Sequence, residues 1–146
     1  MSKACLPDIN VWLALSLQAH PHHPTALAWF GASRTGTVHF CRYTQQGTLR
    51  LLTTAALFAP LGLRPMGNRE AIRALANMLA DDRITFAEEP RGVFDAWMRH
   101  ADAPGSSPKR WMDAYLAAFA LVGGYQLVTT DKGIKHFKEV DVLVLK

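Results

Sequence analysis

Ala4-Cys5-Leu6-Pro7-Asp8-Ile9-Asn10-Val11-Trp12-Leu13-Ala14-Leu15-Ser16-Leu17 begins as a short apolar run, reaches an aspartate, and continues with apolar residues in nearly every position. The first four residues read as a buried strand and Ile9 to Leu17 as a largely covered helix, which puts Asp8 at their junction. The same alternation recurs outward from this unit. Thr25 caps or opens a helix through Ala26, Leu27, Trp29 and Phe30 that ends near Gly31, and Val38 to Phe40 reads as a second strand. Arg42 to Leu52 has helical spacing with Gln45, Gln46 and Arg50 on its polar side. The stretch from Leu57 to Met66 holds Pro60, Gly62 and Pro65 and reads as a loop, after which Asn68 caps a helix over Ile72, Leu75, Met78 and Leu79. Ile84 to Ala87 is a strand and Gly92 to His100 a helix. Ala103 to Pro108 combines Pro, Gly and Ser as a flexible connection. Trp111 to Val122 then forms a helix with Asp113 in its first turn. Gln126 to Thr129 is a strand followed by Thr130 and Asp131, and Val142 to Leu145 closes the sheet. Strands alternating with helices predict a three-layer α/β/α sandwich around a central, mainly parallel sheet, forming one domain over residues 1–146.

The chain of 146 residues carries a net charge of +4, and the excess is concentrated: from Ile9 through Arg69 there is no acidic residue, while Arg34, Arg42, Arg50, Arg64 and Arg69 fall in that stretch. Such a surface suits an anionic partner, nucleic acid rather than membrane. No apolar run reaches the length of a bilayer span. Cys5 and Cys41 have no CxxC spacing and no signal peptide precedes them, so they read as two reduced thiols in a cytoplasm, packed as small core residues.

Asp8 and Asp131 each follow a strand, and Asp113 begins a helix directed at the same edge. Strand C-termini of an open parallel sheet converge, so carboxylates distant in sequence can meet there and share a hard cation. Each aspartate alone has a plain structural reading, as a helix cap or a favourable charge in a first turn. The three together read as a divalent-metal site. Other phosphate and metal classes are disfavoured: there is no GxxxxGK[ST], no GxGxxG after the first strand, no second acid two residues after Asp8, and no HExxH or Cys/His pattern around His20, His22 and His23, which read as a solvated turn. Arg42, Arg50, Lys109 and Arg110 are the cations expected near the site, either clamping phosphates or lying on solvated helix faces. Trp12, Trp29, Trp97 and Trp111 read as core rather than as base-stacking platforms.

Leu6 to Leu13, the helix opening Trp111-Met112-Asp113-Ala114-Tyr115-Leu116-Ala117-Ala118, and Leu127-Val128-Thr129-Thr130-Asp131 occur in an order that resembles PIN-domain ribonucleases of the VapC toxin type. His22-His23-Pro24 before Trp29-Phe30, and the segment from Phe40 to Arg50, add to the likeness, which spans about the whole chain. The resemblance implies Mg2+- or Mn2+-dependent cleavage of RNA, often tRNA, by metal-activated water. It also implies a cognate antitoxin that occupies the site, and a homodimer. Asp8, Asp113 and Asp131 match the family's aspartates, and Asn10 and Thr129 match polar positions that orient ligands around them. Gln45 departs from the pattern, falling where the family often carries glutamate, and no acid between Asp8 and Glu70 replaces it. Two other functions remain open: a structure-selective DNase of the related flap-nuclease lineage, and a module that binds nucleic acid or antitoxin without cleaving.

Overall fold

A computed structural model describes residues 3–146. Five strands, β1 (Cys5–Pro7), β2 (Val38–Phe40), β3 (Ile84–Phe86), β4 (Gln126–Thr129) and β5 (Val142–Val144), form one sheet in the order β3-β2-β1-β4-β5. Every pairing is parallel, so the expectation of a mainly parallel sheet sharpens to an all-parallel one among the described residues. Seven helices surround it: α1 (Ile9–Ser16), α2 (His23–Gly31), α3 (Arg42–Leu52), α4 (Ala55–Phe58), α5 (Asn68–Leu79), α6 (Val93–Ala101) and α7 (Pro108–Gly123).

Alternate residues of the central strands divide between two cores, as the two-residue period of a strand requires. Leu6 and Leu127 pack beneath α7, with Ala117, Phe119 and Ile134. Cys5 and Val128 face α1 and α2 on the other side, with Val11, Ala14 and Ala26. Trp12 stacks on Phe40 with ring centroids 3.5 Å apart and anchors β2 and β3 on the α1 face. The arrangement is the expected three-layer sandwich. Cys5 and Cys41 are buried free thiols, as expected, and among the described residues no helix is long and apolar enough to cross a membrane.

Several boundaries differ from those read in the sequence. Helix α7 starts at Pro108, not Trp111, because a proline in the first helical position sacrifices no hydrogen bond and has the right φ. Asp113 therefore lies in the second turn, and its pairing with the helix dipole is weaker than a first-turn position would give. Helix α2 likewise opens at His23, with Pro24 in its first turn, leaving Thr25 inside the helix to donate to the Lys146 carbonyl at 2.9 Å. Helix α5 is capped at Gly67 rather than Asn68, with Glu70 Oε1 accepting the Gly67 N–H at 3.3 Å. The segment read as a loop from Leu57 to Met66 begins with the end of α4, whose Phe58 fills the core formed by Leu13, Leu17 and Leu52, and goes on into a 3-10 turn at Ala59–Leu61. Trp12 is fully buried and Trp29 and Trp97 half-buried, but Trp111 is exposed, contrary to its reading as core.

Candidate metal and nucleic-acid site

The chain leaves β1 toward β2 and β3 on one side and returns through β4 and β5 on the other, so the connections diverge at the β1–β4 boundary. The carboxyl ends of the strands at such a switch point are the place where open α/β sheets bind ligands. Asp8 stands immediately after β1 and Asp131 two residues after β4.

Asp8 caps α1, its Oδ1 accepting the Ile9 N–H at 2.7 Å, and its own N–H donates to the Val128 carbonyl at 2.7 Å. Its Oδ2 accepts from the Thr129 hydroxyl at 3.2 Å and from Asn10 Nδ2 at 3.4 Å. Thr129, fully buried, in turn accepts the Asp131 N–H at 3.0 Å, and Asn10 Oδ1 accepts the Thr130 N–H at 3.2 Å. Asn10 and Thr129 thus lace the ends of β1 and β4 together and hold Asp8 in one orientation. Burial pushes the Asp8 carboxyl up to about 6, a rise opposed by its hydrogen bonds from Ile9 and Thr129 and reinforced by the charges of Asp113 and Asp131. Asp113 projects from α7 and is also raised, chiefly by burial.

Asp131 is held low instead. Its Oδ2 receives the Lys109 ammonium at 2.8 Å and its Oδ1 the Gly133 N–H at 2.8 Å. Lys109, one turn before Asp113 on α7, also lies 3.9 Å from Asp113 Oδ2. The three aspartates predicted from sequence are therefore brought to one edge, within reach of one another's charge. Among the described residues no three acidic, histidine or cysteine side chains approach closely enough to hold an ion as they stand. The donor set nonetheless fits a hard divalent cation in kind, because it is all carboxylate oxygen and already gathers a cation, the ammonium of Lys109, between two of its members.

The remaining predicted residues divide. Gln45 is buried on α3, and its Oε1 accepts from Arg42 Nη1 at 2.7 Å. Arg42 lies over the Phe86 ring, 4.8 Å from its centroid. Arg110 is fixed by its Nε donating to the His100 carbonyl at 2.9 Å, by Nη1 against His136 Nε2 at 3.2 Å, and by the Phe137 ring 5.2 Å below. Arg50 is not brought to the carboxylates: it lines the groove between α3 and α5 with Thr53, Asn68 and Ile72. His20 and His22 lie in the turn before α2, where His20 Nδ1 accepts the His22 N–H, and the His23 ring is bonded to the Ala14 carbonyl; among the described residues the three form no metal-ligating group.

Two residues near the carboxylates escaped the reading of the sequence. Tyr43 on α3 has its hydroxyl pushed up to about 12, first by burial and then by the charges of Asp8 and Asp113. His136 ends the 3-10 turn Lys132–His136, on the same side as Asp113 and Asp131, with its Nε2 3.2 Å from Arg110 Nη1. Neither carries a local signal, since only the tertiary fold sets them beside the aspartates. Helix α3 reaches this position because Gly47 allows it: a Cβ there would stand 2.1 Å from Ile9 Cδ1.

Residues 5–142 match the sequence profile described as the PIN domain. Ribonuclease VapC41 of Mycobacterium tuberculosis is 46% identical over 142 residues, covering 96% of this chain and 97% of its own. Among solved structures, M. tuberculosis VapC20, titled a sarcin-ricin loop cleaving toxin, superposes with a TM-score of 0.62 at 20% identity, over 94% of this chain and 98% of that one. VapBC2 of Rickettsia felis, bound to a DNA fragment from its promoter, gives a TM-score of 0.61 at 11% identity over 97% and 98% of the two chains. Those two structures share the fold.

Proposed function

Because this chain belongs to the PIN-domain family and is a full-length relative of a VapC ribonuclease, we propose that it is a metal-dependent endoribonuclease, the toxin component of a type II toxin–antitoxin module. The observation that carries the reading is the gathering of Asp8, Asp113 and Asp131 at the carboxyl edge beside Lys109. These three carboxylates would hold a Mg2+ or Mn2+ ion. When bound, such an ion neutralises charge developing on a phosphodiester and makes water a stronger nucleophile at neutral pH.

The chain's own residues supply the rest. Asn10 and Thr129 fix the Asp8 carboxylate and tie it to the end of β4, so that the acids are presented as one rigid unit. Arg110 offers its unused guanidinium N–H groups from a position held at three points, suited to an RNA phosphate. Arg42 extends the cationic border on the β3 side. Clustered carboxylates also suit an antitoxin that inserts a basic side chain among them, since a bidentate guanidinium matches carboxylate geometry. The RNA, possible tRNA substrates and the homodimer belong to this proposal through the family.

A module that binds without cleaving is the second reading, favoured by Gln45, a neutral amide that adds no charge to the carboxylates. One assay separates the two. The purified chain is expected to degrade RNA in Mg2+, to stop when EDTA removes the ion, and to lose activity by about a thousandfold in Asp113→Asn, the scale on which one transition-state charge contact acts. RNA left intact by the wild type at every Mg2+ and Mn2+ concentration would sink the nuclease reading and leave the binding module.

A further inference from the structure

Lys109 lies against the carboxylates in a way that α7 itself does not explain. It is the second residue of the helix, where a cation meets the positive end of the helix dipole. It precedes Asp113 by four residues, the weaker orientation for a helical ion pair. Its side chain is 73% exposed and free to extend into water. Yet its ammonium stands 2.8 Å from Asp131 Oδ2 and 3.9 Å from Asp113 Oδ2. The carboxylates, not the helix, hold it there.

We propose that Lys109 is a tethered counter-cation that competes with the divalent ion for Asp131 and Asp113, and gives up that place when an RNA phosphate arrives. The inference rests on the metal-dependent reading above. Asp131 Oδ1 accepts the Gly133 N–H, and the ammonium stands on Oδ2, the oxygen with no bond from the chain's own backbone. A Mg2+ ion bonds oxygen at about 2.0–2.1 Å. A divalent ion held by the same carboxylates would be repelled by the ammonium beside them, so the two cations compete. The lysine stem has four rotatable bonds and ends in a compact, strongly hydrated charge, which makes the exchange cheap.

The adjacent cation has the opposite character. Arg110 is fixed by the His100 carbonyl, the His136 ring and the face of Phe137, so it can receive a phosphate but cannot travel with it. One cation marks a fixed phosphate position and its neighbour is exchangeable. RNA held at Arg110 brings further phosphates within reach of Lys109, which leaves Asp131 for the backbone and opens the carboxylates to the ion. Weak metal binding without RNA and stronger binding with it follow. With Gln45 adding no charge, a single lysine offsets a large share of the negative charge of three carboxylates.

The test is Mn2+ titration of RNA-free protein, followed by calorimetry or by the resonance of free Mn2+, for wild type, Lys109→Met, Lys109→Arg, Lys132→Met and Asp131→Asn. Lys109→Met is expected to bind Mn2+ about tenfold more tightly than wild type or better. Lys109→Arg, which keeps the charge, is expected to bind no more tightly than wild type, and Lys132→Met, which removes a nearby exposed lysine, should shift affinity far less. Adding decathymidylate as an uncleaved polyanion should tighten Mn2+ binding to wild type and leave Lys109→Met nearly unchanged. Lys109→Met binding no tighter than wild type, or Lys132→Met matching its gain, overturns the role of Lys109 while leaving the metal site intact. Wild type that binds no Mn2+, or Asp131→Asn that binds it equally well, removes the metal assignment itself and this inference with it.

Discussion

Asp81 and Asp8 sit at opposite edges of the sheet and are treated in opposite ways. Asp81, before β3 at the amino edge, accepts the Arg83 N–H and Nε on Oδ1 at 3.0 and 2.9 Å and Nη2 on Oδ2 at 2.7 Å. Arg83 is itself seated over the Phe30 ring at 4.0 Å, and the pairing holds the Asp81 carboxyl at about 2. Asp8, at the carboxyl edge, receives only neutral donors and is raised to about 6. Where an aspartate serves the fold, its charge is answered within the chain. Where it serves a ligand, part of that charge is left for something to arrive.

Substituting Asp8→Asn should break this contrast most visibly. Cleavage is expected to fall by about a thousandfold or more as one ionic contact is lost, while the fold becomes more stable. The sign follows from the raised carboxyl. Because the folded value of about 6 exceeds the ordinary 3.8, the neutral form is favoured on folding. Stability from this group is full at low pH and is lost as pH rises through about 4 to 6. At pH 7.5 without metal the variant should gain up to about 2–3 kcal/mol, shrinking toward zero near pH 4. Thermal melts at both pH values measure it, and a melt lowered equally at both would mean that the Asp8 cap matters more than its buried charge.

An intermediate effect is expected of Gly47→Ala. The new methyl would collide with Ile9, so α3 must withdraw from the start of α1, carrying Tyr43 and Gln45 with it. Overpacking of this kind costs about 1–3 kcal/mol, partly offset by roughly 1 kcal/mol from alanine's helix preference. Urea denaturation gives the net loss, and RNase activity should fall with it; unchanged stability would show that Ile9 simply turns aside.

Asp81→Asn should have the smallest effect. Its depressed carboxyl contributes stability that is present above pH 3.8 and lost as pH falls toward 2. At neutral pH the surface pair with Arg83 is worth about 1 kcal/mol, and cleavage should be unaffected. An activity loss in this variant would show that the two edges are coupled and that the comparison divides them too sharply.

How much of this was legible beforehand varied with the kind of signal. Asp8 and Asp131 stood out because a strand followed within two residues by an aspartate is a local pattern, and a parallel sheet brings strand ends together without further information. Asp113 was found as a residue but assigned to the wrong turn, since Pro108 looks like the end of a Ser/Gly-rich connection and is the first residue of α7. The short helix α4 was hidden for the same reason, lying beside Pro60 and Gly62. Lys109 was expected near the site, clamping phosphate or on a solvated helix face, and its ammonium stands against Asp131, while Arg50 faces the groove between α3 and α5; the azimuth of a long side chain depends on what surrounds it. Tyr43 and His136 had no marker in sequence because their importance is purely positional.

The link from Thr129 to Asp8 spans 121 positions of sequence. β1 cannot acquire its β4 neighbour until the chain has been made as far as Thr129, and contacts of such long separation form late because the loop they close is costly in entropy. A chain emerging from a ribosome would therefore carry Asp8 early, and its carboxylate would meet Thr129 and Asp131 only after β4 has emerged and docked. Order of synthesis thus sets the order in which the carboxylate cluster is assembled.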